Sequence, residues 1–516
     1  MLSDDFNTKV FKEEISNTIL NKIIGIRGGR AELFDYEYSS VLLMQDMAKA
    51  LDRIRKAVSN GEKISLVGDY DCDGLTSVAM LARTLSLMGA EDVNYYIPNR
   101  HTEGYGINQR IVDKIESGIA ILVDNGITAV DLVSELTDKG VDVIIIEHHI
   151  PGKILPNAYA LINAKVEIEP PYYPHRCTAG IVGDMCVELC PQVPLPFIYT
   201  LQAIGTVADV VPLQRDNRDI VKRGLALYKF CGVPTLISLL SAMQCSEIDT
   251  YAIGFKIAPC INAVGRLGYA YCVVEALMGN GDLSDYLVEM NMERRKLEAE
   301  FLARHESKQY SNEVILLMDD TVDIGIVGSL AGKLQNKYSC PAIVLSNGVA
   351  SGRSGKGFDL YSELLTFSER LFERFGGHNR ALSFRINPDR VAELEELIEN
   401  IKVPEIEQSH RFDILIDFDA VSFDLCKSIE TLEPFGEGNP KPIFCSKNVR
   451  VKYQKFVGRA ANVLLMKLGN KNISAVAFNQ QDKPPSTIDI TYTIKVDRFA
   501  GERPAVEVLD WGDALR

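Results

Sequence analysis

Short, almost wholly apolar runs alternate with stretches of helical pattern between residues 40 and 215. The runs are Ile64–Val67, Ile119–Val123, Val143–Ile146 and Ala203–Val207, and helical stretches such as Ser77–Leu87 separate them. Parallel strands that are buried on both faces have this composition, whereas the strands of a half-exposed sheet alternate apolar and polar residues. The sequence therefore predicts a doubly wound parallel α/β sheet in this part of the chain.

The chain after this sheet divides into three further parts. Residues 216–310 have mainly helical patterns and end in the charged run Tyr286–Lys308, which lacks Gly and Pro and predicts a long connecting helix. A second α/β pattern contains the runs Val314–Leu317 and Ala342–Leu345 and ends near Asn400. Short alternating strands then predict a small antiparallel barrel. These strands are Val449–Val451, Val463–Leu468, Ile473–Phe478 and Ile488–Val496.

A length of 516 residues suits about three or four domains. We place the predicted boundaries at 1–40 for an N-terminal segment, 41–215 for the sheet domain, 216–310 for the helical region with the connecting helix, 311–400 for the second α/β domain and 409–516 for the barrel.

Composition limits the classes of partner. Hydrophobic residues make up 46% of the chain and charged residues 24%, as in globular domains. The net charge of −15 argues against a uniformly basic coat for nucleic acid, although Lys447–Arg516 has a local balance of +5. No stretch approaches the ~20 apolar residues of a membrane helix, and the N-terminus lacks a signal-peptide pattern. None of the eleven cysteines forms a CxxC pair. We therefore expect a cytoplasmic protein with reduced cysteines and no membrane partner.

Three carboxylates follow the first apolar run within five residues, in the sequence DYDCDG at residues 69–74. So much negative charge in one turn repels itself unless a cation is bound. The spacing matches the start of an EF-hand loop, but the twelfth position is Met80 instead of Glu, and a predicted strand precedes the motif where the EF-hand has a helix. A solvated acidic turn remains the simpler alternative for this motif taken alone.

Polar residues follow the other three runs in the same way. The sequence DNG at residues 124–126 follows the second run, EHH at residues 147–149 follows the third, and Asp209 follows the fourth. Each residue alone also fits a helix cap or a turn. The carboxyl ends of parallel strands meet at one edge of a sheet, however, so four such ends together predict a common crevice.

The residue types in this crevice favour metal chemistry. Carboxylates mixed with imidazoles suit Mn²⁺, Mg²⁺ or Zn²⁺, and the lack of thiolate ligands argues against a structural zinc site. Five or six candidate ligands are enough for two neighbouring ions, and a two-metal centre serves in-line displacement at phosphorus. The residues therefore predict phosphoester hydrolysis.

The four motifs resemble the core motifs of the DHH phosphoesterase superfamily, and more narrowly those of the RecJ family of single-strand-specific 5′-to-3′ DNA exonucleases. Further similar stretches extend the resemblance over residues 40–515. They are PNRHTEGYG at 98–106, NAVGR at 262–266, SGRS at 351–354, GGH at 376–378 and PFGEGNP at 434–440. The resemblance implies a DHH catalytic domain at 41–215, a DHHA1 substrate-binding domain at 311–400 and a nucleic-acid-binding OB-fold at 409–516.

The resemblance also implies roles for individual residues. It implies two divalent cations, Mn²⁺ or Mg²⁺, and it implies catalytic roles for His149, Asp73 and Asp124. The implied metal ligands are Asp69, Asp71, Asp73, Asp124, His148 and Asp209, of which Asp69 is the weaker, alternative ligand. The implied substrate-binding residues are His149, Asn262, Arg266, Ser351, Arg353, Ser354, Gly377, His378, Tyr453 and Lys455.

Simpler interpretations exist for some of these residues. An arginine in a surface turn is the alternative for Arg353, and a hydrogen-bonded histidine at a helix end is the alternative for His378. The basic residues of the tail, among them Lys455 next to the aromatic Tyr453, also fit the solvated face of a small β-domain.

Three positions depart from the family pattern. Glu147 stands where the family has Asp, which keeps the charge on a longer arm that still suits the orientation of a histidine. Val67 stands where the phosphatase branch has a histidine, which favours a nuclease. Residues 379–383, NRALS, stand where the family usually has small residues and glycine. Close approach of the backbone to a phosphate is therefore in question at this place, and the positive charge of Arg380 offers compensation.

The resemblance implies a metal-dependent exonuclease that releases 5′-mononucleotides from single-stranded DNA in repair or recombination. It implies a monomer with single-strand-binding protein and a helicase as partners. Two alternatives share the metal motifs. An oligoribonuclease or cyclic-dinucleotide phosphodiesterase would leave the tail after residue 409 without a purpose, and the retained ligands argue against an inert replication-scaffold relative. The sequence leaves open the physiological metal, the need for a 5′-phosphate, activity on RNA, and a host, phage or plasmid origin.

Overall fold

The structure of the protein is a computed structural model that describes residues 16–167, 170, 172–245, 247–305, 313–355, 357–404, 412–458, 462–498 and 501–512. The described residues form two compact units. The first unit contains Ser39–Val211 and Asp219–Glu407, and the second contains the described parts of Met1–Tyr38, Pro212–Arg218 and Gln408–Arg516.

The strands are β1 (Ile64–Gly68), β2 (Val93–Tyr96), β3 (Ile119–Val123), β4 (Asp142–Ile146), β5 (Ala160–Ile162), β6 (Ile315–Met318), β7 (Ala342–Ser346), β8 (Val349–Arg353), β9 (Phe372–His378), β10 (Ala381–Ile386), β11 (Ile414–Leu415), β12 (Phe444–Val457), β13 (Val463–Leu468), β14 (Ile473–Phe478), β15 (Thr487–Asp497) and β16 (Arg503–Trp511).

The α-helices are α1 (residues 16–26), α2 (Arg30–Leu33), α3 (Met47–Ser59), α4 (Cys72–Leu87), α5 (Gln109–Val112), α6 (Val130–Asp138), α7 (Thr178–Leu189), α8 (Leu195–Ala208), α9 (Arg215–Leu227), α10 (Pro234–Ala242), α11 (Thr250–Ala252), α12 (Ala258–Leu267), α13 (Tyr271–Leu277), α14 (Ser284–Arg304), α15 (Val327–Tyr338), α16 (Leu360–Leu365), α17 (Ser368–Leu371), α18 (Val391–Asn400) and α19 (Phe423–Glu430). A π-helix, Ile253–Ile257, joins α11 to α12.

The first sheet is parallel throughout and has the strand order β2-β1-β3-β4-β5. Alternate residues of its central strands belong to two separate hydrophobic cores. In β3, Ile119, Ile121 and Val123 belong to one core, and Ala120 and Leu122 belong to the other. Both faces of the sheet are therefore covered, and the predicted doubly wound sheet is confirmed.

The prediction of a strand at Ala203–Val207 is wrong, because these residues lie in α8. This helix is buried along most of its length, and a helix without a polar face has the same continuous apolar sequence as a buried strand. Asp209 consequently follows the end of a helix. Two short strands were not predicted: β2 has only half-buried residues, and β5 has only three residues.

The second half of this unit is built around α14 and a mixed sheet. The predicted connecting helix Tyr286–Lys308 corresponds to α14, which ends at Arg304; residues 306–312 lie outside the described part of the chain. The sheet has the order β6-β7-β8-β10-β9, with β6 and β7 parallel and the other neighbours antiparallel. The predicted second α/β domain is confirmed by this sheet and its helices.

The second unit contains the predicted barrel, but β14 and β16 pair in parallel, so the expectation of an entirely antiparallel barrel is wrong. Strands β12, β13, β14, β16 and β15 pair in that order, and β15 pairs again with β12, so the ring is closed. Residues near the N-terminus contribute to the barrel's core, because Ile19 and Ile23 of α1 belong to the same cluster as Leu425 and Ile429 of α19. The sequence did not predict this joining of the two chain ends. The five predicted domain boundaries remain predictions.

Among the described residues, no single helix combines the length and the apolar composition of a membrane span. One helix pair meets those criteria only when taken together, Arg215–Phe230 with Pro234–Ala242, and the two are bent by 93° relative to each other.

Candidate active site

The turn after β1 brings the first acidic motif to the carboxyl edge of the sheet. Asp71 caps α4, since its Oδ1 accepts the N–H of Asp73 at 3.0 Å and that of Gly74 at 3.2 Å. A Cβ on Gly74 would lie 2.7 Å from the carbonyl oxygen of Asp69. Glycine therefore lets the chain fold back on itself, and it presents Asp69, Asp71 and Asp73 within one turn.

A second turn, after β3, places Asp124 beside this motif. Asp124 has a left-handed φ of 62°, which aspartate tolerates better than most residues. The amide of Asn125 fixes the turn, because its Nδ2 donates to the carbonyl oxygens of Val67 and Val123, each at 2.9 Å. The ends of β1 and β3 are thus tied together directly beneath the carboxylate.

The N-terminus of α7 holds two of the carboxylates. The backbone N–H groups of Thr178 and Ala179 donate to the two oxygens of Asp73 at 2.9 and 2.8 Å. The Thr178 hydroxyl donates to Oδ1 of Asp124 at 2.9 Å. Both carboxylates are therefore oriented by one helix end whose dipole favours their negative charge. Sequence reasoning missed Thr178, since nothing in its local sequence links it to either aspartate.

His148 lies at the centre of three carboxylates. Its Nε2 lies 3.5 Å from Oδ1 of Asp124, 3.5 Å from Oδ2 of Asp209 and 3.7 Å from Oδ2 of Asp73. Among the described residues, this nitrogen has no hydrogen-bond partner, and neither does Oδ1 of the buried Asp69. Adjacent ligand atoms of an octahedral ion lie about 3 Å apart, given metal–oxygen distances of about 2.1 Å. The donor set and its spacing therefore fit a divalent cation.

All six predicted metal ligands come together at this edge. Their ligand atoms form three overlapping groups, each within 4.8 Å: Asp124 with His148 and His149, Asp73 with His148 and Asp209, and Asp69 with Asp71 and Asp124. Because Asp124 and His148 are each shared by two groups, the arrangement suits two neighbouring cations with a bridging carboxylate better than it suits one isolated ion.

The electrostatics of the acidic cluster agree with a cation site. Burial, followed by repulsion from the other carboxylates, raises the pKa of Asp69, Asp124 and Asp209 well above the usual range and that of Asp73 to about 6. Burial also lowers the pKa of His148 well below its usual value, which keeps the imidazole neutral and able to bind a metal. A divalent cation would supply the positive charge that these buried groups lack.

His149 has a different environment from its neighbour. Burial lowers its pKa, but the hydrogen bond between its Nδ1 and Oε2 of Glu147, at 2.7 Å, and the charges of Glu147, Asp209 and Asp69 together outweigh burial and raise the pKa to about 9. The other oxygen of Glu147 accepts the backbone N–H of Ile127. Glu147 therefore orients a histidine, as the sequence suggested, and His149 is a cation at neutral pH.

A cavity of about 190 Å³ opens beside the acidic turn, and several arginines meet there. Arg100, Arg266 and Asn262 line it together with Asp69 and Asp71. Burial, followed by the charges of Arg100 and then Arg353, lowers the pKa of Arg266 to about 10. Mutually repelling guanidinium groups are characteristic of a site that receives an anion.

Arg100 was not among the predicted site residues. Its guanidinium lies 5.4 Å from the ring centroid of Tyr70, which also lines the cavity. The motif at residues 98–106 was the signal that pointed to it. Tyr105 of the same motif donates its hydroxyl to the carbonyl oxygen of Asp124 at 2.8 Å.

The second sheet carries three of the predicted substrate-binding residues, Ser351, Arg353 and His378. Ser351 is buried on β8, and Arg353 lies at the end of that strand. Burial, followed by the charge of Arg100, lowers the pKa of Arg353. Burial, then Arg353 and Lys165, lowers the pKa of His378, although a hydrogen bond with Asn379 opposes this. Lys165 also lowers the pKa of His148, after burial and His149, so it is a further cationic neighbour that the sequence did not indicate.

Two of the predicted substrate-binding residues have clear structural tasks. The hydroxyl of Ser354 accepts the N–H of Leu360 at 3.1 Å, at the start of α16. Gly377 has a φ of 145°, and a Cβ there would lie 2.4 Å from the carbonyl oxygen of Ala381, so glycine is needed for the β9–β10 hairpin.

Tyr453 and Lys455 lie in the second unit, on the outer face of β12. Both side chains are exposed, and they stand opposite Lys467 and Leu465 of β13. Phe478 of β14 is exposed on the neighbouring strand. This face therefore combines aromatic and cationic side chains.

Comparison with known proteins gives one consistent result along the chain. The model described as "DHH family, N-terminal domain" matches residues 63–206, the DHHA1 domain matches residues 311–402, and the RecJ OB domain matches residues 412–509.

Curated relatives extend the match beyond single domains. The single-stranded-DNA-specific exonuclease RecJ of Bacillus subtilis (strain 168) is 31% identical over 92% of this chain and 64% of its own length. The chain thus spans slightly less than two thirds of that relative. The protein of the same name from Dickeya dadantii (strain 3937) is 28% identical over 91% of this chain and 90% of its own.

Solved structures agree with the sequence matches. The crystal structure of RecJ from Thermus thermophilus in complex with Mn²⁺ has a TM-score of 0.83 and 26% identity, covering 96% of this chain and 76% of the other. The Mg²⁺ complex of the same protein, at 24% identity and a TM-score of 0.77, covers 96% and 74% and shows the same fold. The order of the three matched domains and the fold agree, so the chain is similar to RecJ proteins along most of its length.

Proposed function

We propose that this protein is a divalent-metal-dependent exonuclease that hydrolyses single-stranded DNA from the 5′ end and releases 5′-mononucleotides. The observation that carries the proposal is the convergence of three carboxylates on the unpartnered Nε2 of His148 at 3.5 to 3.7 Å. The relatives from Bacillus subtilis and Dickeya dadantii are named single-stranded-DNA-specific exonucleases, which supports the choice of substrate.

The residues proposed to hold the cations divide into two sets. Asp73, His148 and Asp209 would hold one ion, and Asp69, Asp71 and Asp124 would hold the other. Oδ1 of Asp124 also lies 3.5 Å from Nε2 of His148. Two Mn²⁺ or Mg²⁺ ions held there would lower the pKa of an attacking water and stabilise the negative charge of the transition state. Asp73 and Asp124 contribute by holding their oxygens in fixed positions, since α7 orients both carboxylates.

His149 and the arginines are proposed to bind the phosphates. His149, charged through its hydrogen bond with Glu147, donates a proton in a hydrogen bond to the scissile phosphate. Arg100 and Arg266 bind the neighbouring phosphate within the cavity that they line. Arg353, with Ser351 and His378 close by, adds positive charge on the side of the second sheet.

The barrel is proposed to bind the single strand as well. Tyr453 offers a ring for base stacking, and Lys455 offers a cation for the backbone. Because cellular DNA is the substrate, we propose a cytoplasmic monomer that acts in repair or recombination together with single-strand-binding protein and a helicase.

The test compares substrates and one matched pair of variants. Purified protein with Mn²⁺ is incubated with 5′-labelled single-stranded DNA, 3′-labelled single-stranded DNA, duplex DNA and RNA of two to five nucleotides. We expect immediate release of labelled mononucleotide from the 5′-labelled strand only, and loss of this activity in Asp124→Ala. The control Asp131→Ala removes an exposed carboxylate at the start of α6 and should retain activity.

Other outcomes would replace the proposal. Preference for short RNA would identify an oligoribonuclease, and tight binding without turnover at any metal concentration would identify an inert relative. Release of the 3′ label before the 5′ label would show that degradation starts at the 3′ end, opposite to the proposed polarity.

A further inference from the structure

One continuous helical segment connects the catalytic cavity to an exposed aromatic pair. The segment comprises α11, the π-helix Ile253–Ile257 and α12. Its exposed or half-buried residues recur every three or four positions, whereas the residues between them are mostly buried. Five of them, at spacings of three or four, are Tyr251, Phe255, Pro259, Asn262 and Arg266, and Thr250, Gly254, Lys256 and Leu267 are half-buried as well. Such spacing defines one solvent-facing stripe along a helix.

The two ends of this stripe differ in chemistry. Asn262 and Arg266 line the arginine-rich cavity beside Asp71. At the other end, Tyr251 and Phe255 are 60% and 64% exposed. Their rings stack on each other, with centroids 4.9 Å apart and planes inclined by 27°. Two large exposed aromatic rings that stack on each other form an apolar surface on the same helical segment as the cavity-lining Asn262 and Arg266.

Two charged side chains near the pair are hydrogen-bonded to the backbone. The ammonium group of Lys256 donates to the carbonyl oxygen of Met243 at 3.2 Å, and the carboxylate of Asp249 accepts the N–H of Ala252 at 2.7 Å. The π-helix itself carries Phe255, and π-turns frequently occur at functional sites.

The separation also suits a strand that extends from the cavity. With a rise of about 1.5 Å per residue, Phe255 lies about 10 Å along the helix from Asn262 and about 16 Å from Arg266. A strand whose terminal phosphates occupy the cavity would reach the rings with a base a few nucleotides away.

We propose that Tyr251 and Phe255 form a base-stacking subsite for single-stranded DNA, aligned by their helix with the phosphate-binding cavity. The inference rests on the proposed function and adds a contact to it. Stacking on an aromatic face accepts any base, so the subsite would hold the strand without regard to sequence.

The experiment measures binding and cleavage separately in the full-length protein. Binding of a 5′-phosphorylated, 3′-fluorescein-labelled dT12 is followed by anisotropy in EDTA, which prevents hydrolysis. Cleavage of a dinucleotide, too short to reach the rings, is followed in Mn²⁺. The double variant Tyr251→Ala/Phe255→Ala is compared with Phe230→Ala, which removes a 73% exposed ring elsewhere in the same unit.

We expect the double variant to bind dT12 about 5-fold to 100-fold more weakly, as the loss of one stacked base predicts. Dinucleotide cleavage by the double variant should match that of the wild type. The Phe230→Ala protein should match the wild type in both measurements. Oligonucleotides with one abasic position should show where the base stacks. Removing that base should weaken binding to the wild type by a similar factor and leave binding to the double variant unchanged.

Three results would overturn the inference. They are unchanged binding of dT12 by the double variant, an equal loss in dinucleotide cleavage, and an equal loss in Phe230→Ala. If the alanine variant unfolds, Tyr251→Leu/Phe255→Leu keeps the apolar volume without the rings and has the same expected result. A wild-type protein that neither binds nor cleaves single-stranded DNA refutes the proposed function itself, whereas intact wild-type activity with unaffected variants refutes only the stacking subsite.

Discussion

Glu147 and its two hydrogen bonds give the two adjacent histidines different charges. One carboxylate oxygen accepts the N–H of Ile127, and the other pairs with His149. His148 has no such partner and faces the other carboxylates. One imidazole is therefore neutral and suited to a metal, while the other is positive and suited to a phosphate.

Glu147→Gln should lower the pKa of His149 from about 9 toward the ordinary histidine value, because the amide no longer stabilises the imidazolium. The raised pKa stabilises the folded protein fully below the unfolded value near 6.5, and this contribution is lost as the pH rises through about 9. NMR titration of the imidazole in metal-free protein measures the pKa, and chemical unfolding at different pH values measures the stability. An unchanged pKa in the variant would show that Glu147 does not control this charge.

Thr178 should control metal affinity without being a ligand. Thr178→Val keeps the shape of the side chain but removes the hydroxyl that donates to Asp124, so we expect Mn²⁺ to bind about 10-fold more weakly. Binding is measured by electron paramagnetic resonance of free Mn²⁺. Thr178→Ser, which retains the donor, should bind Mn²⁺ nearly as well as the wild type. Equal affinity of the valine variant and the wild type would contradict this role.

The sequence predicts the acidic residues of the candidate site but does not predict the residues that orient them. Asp69, Asp71 and Asp124 follow apolar runs directly, so their meeting at one sheet edge can be predicted from strand geometry. Thr178 lies at a helix end and Lys165 in a loop, and both are distant in the sequence from the acidic motif that follows β1. No local sequence pattern marks such contacts.

Among the secondary-structure elements, predictions succeeded where the burial pattern was unambiguous. β1, β3 and β4 are short, buried and flanked by polar turns, a pattern that is typical of strands in a parallel sheet. Ala203–Val207 has an equally apolar sequence but lies in a buried helix, so composition alone could not distinguish the two. The packing of α1 in the barrel core is a contact between distant parts of the chain, which periodicity cannot reveal.

One buried carboxylate forms the ion pair that links α14 to α15. Glu298 is fully buried, and its oxygens lie 2.5 Å from Arg294 and 2.8 Å from Lys333 of α15. Burial raises its pKa, but hydrogen bonding to Lys333 and the nearby cations outweigh burial and lower it. Its stabilising effect is therefore present above the unfolded pKa and is lost as the pH falls through the acidic range.

Glu298→Gln should lower the free energy of unfolding of this unit by about 2 kcal/mol, since it leaves two cations without a counter-charge. The matched control on the same helix is Glu293→Gln, whose carboxylate is 48% exposed and 3.7 Å from Lys296, and it should change stability little. Chemical unfolding at pH 7 and pH 4 measures both variants. The difference between wild type and Glu298→Gln should shrink at pH 4; equal effects of the two substitutions would contradict the prediction.

For the whole molecule, the distribution of charge matters more than its sum. The chain has a net charge of −15, yet Lys447–Arg516 has a balance of +5, and Arg100 and Arg266 line the cavity beside the acidic turn. Net negative charge disfavours unspecific attraction to nucleic acid, while local cationic surfaces still attract a strand to particular faces.

Substituting two lysines of the barrel's outer face tests whether that face or the total charge controls binding. Lys455→Gln/Lys467→Gln and the control Lys483→Gln/Lys495→Gln both change the net charge from −15 to −17, and all four side chains are exposed.

If single-stranded DNA crosses β12 and β13, only the first pair of lysines neutralises phosphates. The slope of log K against log salt should then fall by about 1.4 in that variant, at about 0.7 per phosphate contact, and remain unchanged in the control. Anisotropy with a long oligonucleotide over 50 to 200 mM salt gives both slopes. Equal losses in the two variants would mean that overall charge, rather than this face, governs the attraction.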